Sequence, residues 1–299
     1  MNSLSVLIKR NTKLFFRDKG MFLTSLITPG ILLLLYSTFL GNVYKNSFIS
    51  SMPEGITLSD EILNGVVGGQ LLSSILAVSC VTVAVSCNML MVQDRANGSL
   101  NDLMMTPVKR STLALGYYFA TLISTLIICF AAVALGLAYI AFSGWYMSLG
   151  DVLWLCLDVL LLVMFGTALS SVINFFLSTQ GQIAAVGTIV SSCYGFICGA
   201  YMPISQFSPG LQKAVSLLPG TYGTALVRTH SLRGVFGEME RIGVPEKVLD
   251  EMETAVDSNL YFFGSKVSVG AMFAVLSVTV VMLVGAYVLL NIICKKKNK

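Results

Sequence analysis

The chain has 299 residues, of which 55% are hydrophobic and 11% are charged, and its formal net charge is +4. Soluble domains carry about 25% charged residues, so this composition excludes an ordinary soluble protein and indicates a polytopic membrane protein. We therefore expect the lipid bilayer as its surroundings and no nucleic acid as a partner.

The N-terminal segment, residues 4–17, predicts a helix that lies on the membrane surface. Leu4, Leu7, Ile8 and Phe15 share one helical face, and Arg10, Lys13 and Arg17 share another. This arrangement is typical of an interfacial amphipathic helix. Its basic side chains would also attract anionic lipid head groups.

Six transmembrane helices follow from the windows that are almost free of charge. A spanning helix needs about 20 apolar residues. The long run between residues 159 and 212 is divided at the polar cluster 178–182, which makes spans four and five an antiparallel hairpin. The predicted spans are residues 21–42, 66–92, 113–141, 152–177, 182–202 and 267–293. We expect residues 1–299 to form a single all-α transmembrane domain.

The orientation follows from the placement of Lys and Arg, which favour the cytoplasmic side. With the N-terminus inside, the inner segments contain only three acidic residues, namely Asp18, Asp94 and Asp102. Their basic residues are Lys9, Arg10, Lys13, Arg17, Lys19, Arg95, Lys109, Arg110, Lys295, Lys296, Lys297 and Lys299. Both termini are therefore predicted to be cytoplasmic.

The segment 93–112 is a short charged insert between spans two and three. Ser99 is a candidate N-cap and Asp102 completes a Ser-x-x-Asp capping box. Leu100, Leu103 and Met104 share one face, and Thr106 before Pro107 ends the helix. Such a helix has about seven residues and is marginal in water, so we expect it to pack against the membrane, the spans or a partner protein.

This insert resembles the first cytoplasmic loop of type-2 ABC exporter permeases. The similar residues run from Arg95 to Arg110, and Leu115-Gly116 then opens a span. The chain departs from the family pattern at Gln93-Asp94, at Asn101 and at Met104-Met105. The resemblance implies a coupling helix that docks on an ATP-binding subunit. The docking residues that it implies are Asp94, Arg95, Gly98, Ser99, Leu100, Asp102, Leu103, Met104 and Pro107.

The resemblance also implies where ATP is bound. The chain has no Walker sequence Gly-x-x-x-x-Gly-Lys-[Ser/Thr], so no P-loop site is evident in it. We therefore expect no catalytic residue, cofactor or metal in this chain, with ATP and Mg²⁺ bound by the partner ATPase. A second copy of the chain, or a homologous permease, is expected to complete the transporter.

The segment 203–265 is predicted to be an external loop with helical parts. Its first half is apolar and divided by prolines, which indicates re-entrant outer helices between spans five and six. This half resembles the type-2 permeases in Gly199 to Pro203, in Pro209-Gly-Leu211, and in Leu218 to Tyr222 with Arg228. The second half, from Pro245 to Val256, predicts an acidic amphipathic helix.

Span five carries a small residue every fourth position, which lets another helix approach closely. This ridge could pack against the same chain or lie near a symmetry axis between two copies. The ridge residues are Gly187, Ser191, Gly195 and Gly199. In the resembled family, spans two and five lie near the central pathway. Candidate pathway residues are Ser86, Asn88, Asp158, Ser191, Ser192 and Tyr194, and ordinary intramembrane hydrogen bonding is the alternative for each.

Asp158 is the one charged residue inside a predicted span. A charge at mid-bilayer costs about 2.5–3.5 kcal/mol, so this carboxylate should face water or the helix bundle. It is interpreted either as a solvated carboxylate near the outer interface or as a relay or cation site. The single histidine, His230, is interpreted as a surface residue, and no His-Glu-x-x-His zinc site can form.

The resulting hypothesis is an ATP-driven exporter permease in a plasma membrane, of the bacterial inner-membrane kind. Its cargo would be amphiphilic or hydrophobic: a drug, an antibiotic, a peptide or a lipid. Export of lipid-linked glycans is an alternative within the family. An ion-coupled secondary transporter is the alternative outside it, although that class usually needs paired intramembrane charges and internal repeats. An intramembrane enzyme is disfavoured because no Ser-His or Cys-His arrangement is visible.

Overall fold

The computed structural model describes residues 3–35, 38, 41–50 and 58–293. The predicted basic residues Lys295, Lys296, Lys297 and Lys299, and part of predicted span one, lie outside these residues. The thirteen α-helices of the described chain are α1 Ser3–Arg17, α2 Lys19–Leu35, α3 Gly41–Ser50, α4 Asp60–Cys87, α5 Met89–Ala96, α6 Ser99–Met105, α7 Arg110–Ser143, α8 Leu149–Phe175, α9 Gln180–Ile197, α10 Pro209–Val215, α11 Pro219–Arg241, α12 Glu246–Ala255 and α13 Val269–Ile293, and a short 3-10 helix, Ile204–Gln206, precedes α10.

The all-α polytopic architecture is confirmed. Within the described residues, four helical segments are long and apolar enough to cross a membrane, namely Asp60–Ala96, α7, α8 and α13. A fifth is counted if α1 and α2, which are bent by 75° at Asp18, form one broken span. The helix α9 has 18 residues and falls outside this set, so the number six stays a prediction.

Local signals explain where three of the long helices begin. Ser59 accepts a hydrogen bond from the Ile62 N–H and starts α4. Ser148 and Asp151 form a reciprocal capping box at the start of α8. Thr179 and Gln182 form another at α9. Because these caps satisfy N–H groups that have no partner within the helix, the polar cluster 178–182 divides the long apolar run as predicted.

The helix α4 lies at the centre of the molecule and is packed by α2, α7, α8, α9 and α11. Most of its side chains are buried, and those of Leu76, Val78 and Val81 are completely inaccessible. In contrast, α13 exposes large apolar side chains such as Val281 and Met282. Such an outward apolar face is expected of a helix that borders lipid.

The predicted external loop is largely helical. Pro219 occupies the first turn of α11, a position where its missing N–H costs nothing, and α11 then packs against α4, α8 and α13. The predicted acidic helix is confirmed as α12, whose Leu249 and Met252 are buried against α11. A two-stranded antiparallel hairpin, Tyr261–Phe262 with Ser265–Lys266, leads into α13. That these outer helices are re-entrant stays a prediction.

Gly234 allows the closest approach of α11 to the loop before α8. A Cβ atom built at Gly234 would lie 2.0 Å from the backbone oxygen of Tyr146, whereas one at Gly237 would meet nothing within 4 Å. Since backbone cannot move aside as a flexible side chain can, we expect Gly234→Ala to destabilise the protein by about 1–3 kcal/mol. Gly237→Ala on the same helix should instead be neutral or stabilising by up to about 1 kcal/mol. Unfolding of the detergent-solubilised chain measures both, and equal effects would contradict the packing.

Candidate functional site

The charged insert forms two short helices joined by a tight turn. The chain leaves α4 at Asn88, continues through α5 and reverses at Gly98, whose φ of +82° is in the left-handed region that favours glycine. The helix α6 follows and ends where Thr106 becomes extended before Pro107. The predicted seven-residue helix with this end is confirmed.

The predicted start of α6 is wrong by one residue. Gly98 is the N-cap, and no side chain caps the helix. Ser99 already lies within the first turn, and the N–H groups of Asn101 and Asp102 donate to the Gly98 carbonyl. The Ser99–Asp102 capping box therefore does not form, because capping requires the serine to precede the helix.

The two faces of α6 have different surroundings. Leu100 and Leu103 are half-buried and pack against a cluster that includes Leu7 and Tyr117. The next residues face outward, since Met105 is 88% exposed and Met104 is 38% exposed. The predicted apolar face of α6 therefore has two parts. Leu100 and Leu103 pack against the permease chain itself, and Met104 is accessible. The other accessible residues are Asn101, Asp102, Thr106 and Pro107, with Gly98 and Ser99 half-buried.

Asp94 joins three helices in the interior. Its Oδ2 atom lies 2.7 Å from Nη1 of Arg10 on α1 and accepts a hydrogen bond of 2.6 Å from the Tyr117 hydroxyl on α7. The carboxylate is buried, whereas the Arg10 side chain is 31% exposed. Asp94 is thus occupied within its own chain rather than presented to a partner.

Arg95 also faces its own chain. Its guanidinium donates to the backbone carbonyls of Asn174, Phe175 and Leu177, and it lies 5.9 Å from the Phe175 ring centre. The first two carbonyls belong to the C-terminal end of α8, where a positive charge offsets the helix dipole, and the third belongs to the turn that follows. Arg95 therefore ties α5 to the turn between α8 and α9.

Asn88 and Ser86, two of the predicted pathway residues, are engaged in hydrogen bonds within the bundle. The Asn88 amide donates to the hydroxyls of Ser170 and Ser171 at 3.1 and 2.9 Å, and its backbone carbonyl accepts from Asn174. The Ser86 hydroxyl donates to the Thr82 carbonyl at 3.1 Å. Both residues therefore form ordinary hydrogen bonds within the helix bundle, which was the alternative to a position in the transport pathway.

The small-residue ridge of α9 packs against its own chain. A Cβ atom at Gly187 would lie 3.2 Å from Met89, and one at Gly195 would lie 2.3 Å from the Tyr201 ring. Gly199 lies beyond the end of α9, with a φ of +74° that turns the chain out of the helix. These ridge glycines therefore contact their own chain, and a symmetry axis near the ridge stays a prediction.

The remaining pathway candidates of α9 occupy different environments. Ser191 is half-buried and its carbonyl accepts from the Tyr201 hydroxyl, whereas Ser192 is exposed. Tyr194 is buried, and its hydroxyl has no hydrogen-bond partner within the described residues. Their role in a transport pathway stays a prediction.

Asp158 and His230 lie in surroundings that differ from the exposed positions considered for them from the sequence. Both are buried, and the Asp158 Oδ2 atom lies 2.6 Å from the His230 Nδ1 atom. The His230 ring stacks on Trp154 at a centroid distance of 5.6 Å. Asp158 is therefore not a solvated carboxylate and His230 is not a surface residue. A buried carboxylate needs a partner. His230 on α11 is that partner for Asp158 on α8.

Arg228 forms a second buried ion pair that the sequence analysis did not identify. Its guanidinium lies 3.3 Å from Asp257 and donates to the Gly199 carbonyl at 2.9 Å. Asp257 also accepts from the N–H groups of Ile204 and Ser205. Burial raises the pKa of Asp257, and the Arg228 charge and these donors act in the opposite direction. The pair fixes the chain just after α9 to α11.

The family model described as "ABC-2 type transporter" matches residues 2–230. The matched region extends from α1 through the charged insert and the α8–α9 hairpin into α11. No curated protein matches the chain.

Proposed function

This chain belongs to the ABC-2 type transporter family and is the membrane permease subunit of an ABC transporter, and we propose that it exports a hydrophobic or amphiphilic compound. Transport would be driven by a separate ATP-binding subunit that binds ATP and Mg²⁺. The proposal places the chain in a plasma membrane with both termini in the cytoplasm, as the distribution of Lys and Arg favours.

One observation carries the docking part of the proposal. The tip of α6 presents Met104 and Met105 outward, although the helix itself is held by Leu100 and Leu103. Exposed methionines adapt their shape to a partner surface. A short helix that is immobilised from behind and apolar at its tip is suited to insertion into a cleft of another protein.

The geometry divides the predicted docking residues into two groups. Contact with the ATPase is assigned to the accessible predicted residues Asp102, Met104 and Pro107, and also to Met105, which was not among the predicted docking residues but is 88% exposed. Asp94 and Arg95 are assigned a positioning role, because their charges are satisfied by α1, α7 and α8. If the ATPase displaced α6, the movement would be transmitted through Asp94 and Arg95 to α1, α7 and α8.

A second permease copy, or a homologous permease, is proposed to cover the outward face of α9. This helix buries only Ile183, Gly187, Tyr194 and Gly195. Its other side exposes residues such as Ser192 and Phe196. Polar groups on a spanning segment are costly towards lipid, so a protein neighbour suits this face better than an acyl chain does.

Ion-coupled transport is the second candidate, and the two buried ion pairs favour it. Asp158–His230 and Arg228–Asp257 are buried acid–base pairs, and such transporters usually carry paired ionisable groups within the membrane. Family membership and the exposed tip of α6 favour ATP-driven export. Vesicles that contain the chain with and without its ATPase distinguish the two, because transport that persists without the ATPase supports ion coupling.

The docking proposal predicts that Met105→Glu weakens binding of the ATPase subunit that co-purifies with the full chain. A charge at the centre of an apolar contact should cost about 2 kcal/mol or more, which is at least about tenfold in Kd. The stability of the permease should change by less than about 0.5 kcal/mol, because the side chain is at the surface. Titration of the ATPase onto immobilised permease measures the binding.

Lys9→Glu is the matched control, because Lys9 is exposed on α1 and lies outside α6. It should leave the ATPase affinity unchanged. If Met105→Glu bound the ATPase as tightly as the wild type, the tip of α6 would not be the docking surface.

A further inference from the structure

An apolar cleft lies between α2, α4 and α7, with a volume of about 580 Å³. We refer to it as the elbow cleft, because it begins at the 75° bend between α1 and α2. Its lining includes Phe16, Phe22, Gly30, Leu72, Ile127 and Gly136. The volume is in the range of small-molecule sites, about 300–1,000 Å³, but the Tyr139 hydroxyl is the one polar side-chain group among the described lining residues.

The length of the elbow cleft matches one leaflet of a bilayer. Along α2 its lining extends from Phe22 to Leu33, and along α7 from Ile127 to Tyr139. At a rise of 1.5 Å per residue these stretches are roughly 16–18 Å long. Half of a hydrocarbon core is about 15 Å thick. An extended acyl chain that starts at the bend therefore fits the cleft.

Basic side chains surround the bend where the cleft begins. Lys13 and Arg17 are exposed on α1, and Lys13 shares a helical face with the lining residue Phe16. Lys19 is exposed at the start of α2. The one acid at the bend, Asp18, accepts a hydrogen bond from the Met21 N–H and so caps α2. The entrance thus has an excess of positive charge.

We propose that the elbow cleft binds an acyl chain of an anionic phospholipid, with Lys13 and Arg17 holding the phosphate of its head group. A purely apolar groove would accept any lipid, and the basic entrance makes this site selective for negative charge. The lipid would connect α1 to α2, α4 and α7. Because α1 also carries Arg10, the bound lipid would steady the helix that contacts Asp94.

Gly30→Leu tests occupancy of the cleft without disturbing its walls. A Cβ atom at Gly30 would meet nothing within 4 Å, so a leucine side chain fills the space that the acyl chain would use. Gly285→Leu on α13 is the matched control, because a Cβ atom there also meets nothing within 4 Å. Both variants replace a helical glycine, so their effects on helix propensity are the same.

The measurement is the amount of lipid retained by the purified full chain from mixed micelles of phosphatidylglycerol or phosphatidylcholine, counted by native mass spectrometry. The wild type should retain one phosphatidylglycerol with about tenfold preference, since each basic side chain near an anionic surface strengthens binding severalfold. Gly30→Leu should lose most of this binding, and Gly285→Leu should retain it. The double variant Lys13→Gln/Arg17→Gln should bind both lipids equally weakly.

Three results would overturn the proposal. The wild type could retain neither lipid, it could retain both lipids equally, or Gly30→Leu could retain phosphatidylglycerol as the wild type does. Thermal unfolding of each variant shows whether it is folded. The binding measurement requires neither ATP nor the ATPase, so it is decided separately from the proposed transport function.

Discussion

His230→Leu is expected to destabilise the protein by about 3–5 kcal/mol, because it leaves the Asp158 carboxylate buried without its partner. The His230 ring nitrogen at 2.6 Å is the one hydrogen-bond partner of that carboxylate within the described residues, and Asp158 Oδ1 has none there. Asp158→Val removes the charge and leaves an imidazole that can be neutral. It should therefore cost less, about 1–3 kcal/mol.

The double variant Asp158→Val/His230→Leu should recover much of the lost stability. Replacing both members of a buried pair by apolar groups is often nearly neutral, whereas removing one member is not. Chemical unfolding of the detergent-solubilised chain measures the three variants. If the cost of the double variant equalled the sum of the single costs, the two residues would not interact and the observed pairing would be contradicted.

Arg10→Asp is expected to reduce ATP-driven transport at least about tenfold, while the ATPase subunit remains bound. The substitution places a second carboxylate beside the buried Asp94 and so separates α1 from the insert. Breaking this pair should cost about 1–3 kcal/mol rather than the 3–5 kcal/mol of a fully buried pair, because the Arg10 side chain is 31% exposed. The exposed tip of α6 does not include Arg10, so docking should persist.

The charge exchange Arg10→Asp/Asp94→Arg should restore a substantial part of the transport. Lys9→Asp is the control, because Lys9 is exposed on the same helix. It should change the transport rate less than about twofold, as expected of an exposed charge. The measurement is substrate accumulation in inverted vesicles together with ATP hydrolysis. Equal losses for Arg10→Asp and Lys9→Asp, or no recovery in the exchange, would show that the Arg10–Asp94 pair does not position the insert.

Much of the fold could be predicted because its signals are local. Apolar windows predicted the positions of α4, α7, α8 and α13, and the polar residues 178–182 predicted the break between α8 and α9. The prolines of the outer segment predicted breaks, but the burial of α11 was missed. That helix carries Arg228 and His230, and its polar residues indicate an exposed segment until the neighbouring helices are known.

The sequence by itself determined the class of protein, the main helices, the short helix of the insert and the family, because composition, periodicity and motif spacing are properties of neighbouring residues. The tertiary structure alone decided which charges meet. Arg10 and Asp94 are 84 residues apart, and Asp158 and His230 are 72 residues apart. Helical periodicity shows on which side of its own helix a charged residue lies, but it does not show which other helix packs against that side. Whether a charge can be buried depends on that partner. The resemblance implied Asp94 and Arg95 as docking residues, and the tertiary structure instead pairs both with groups of their own chain.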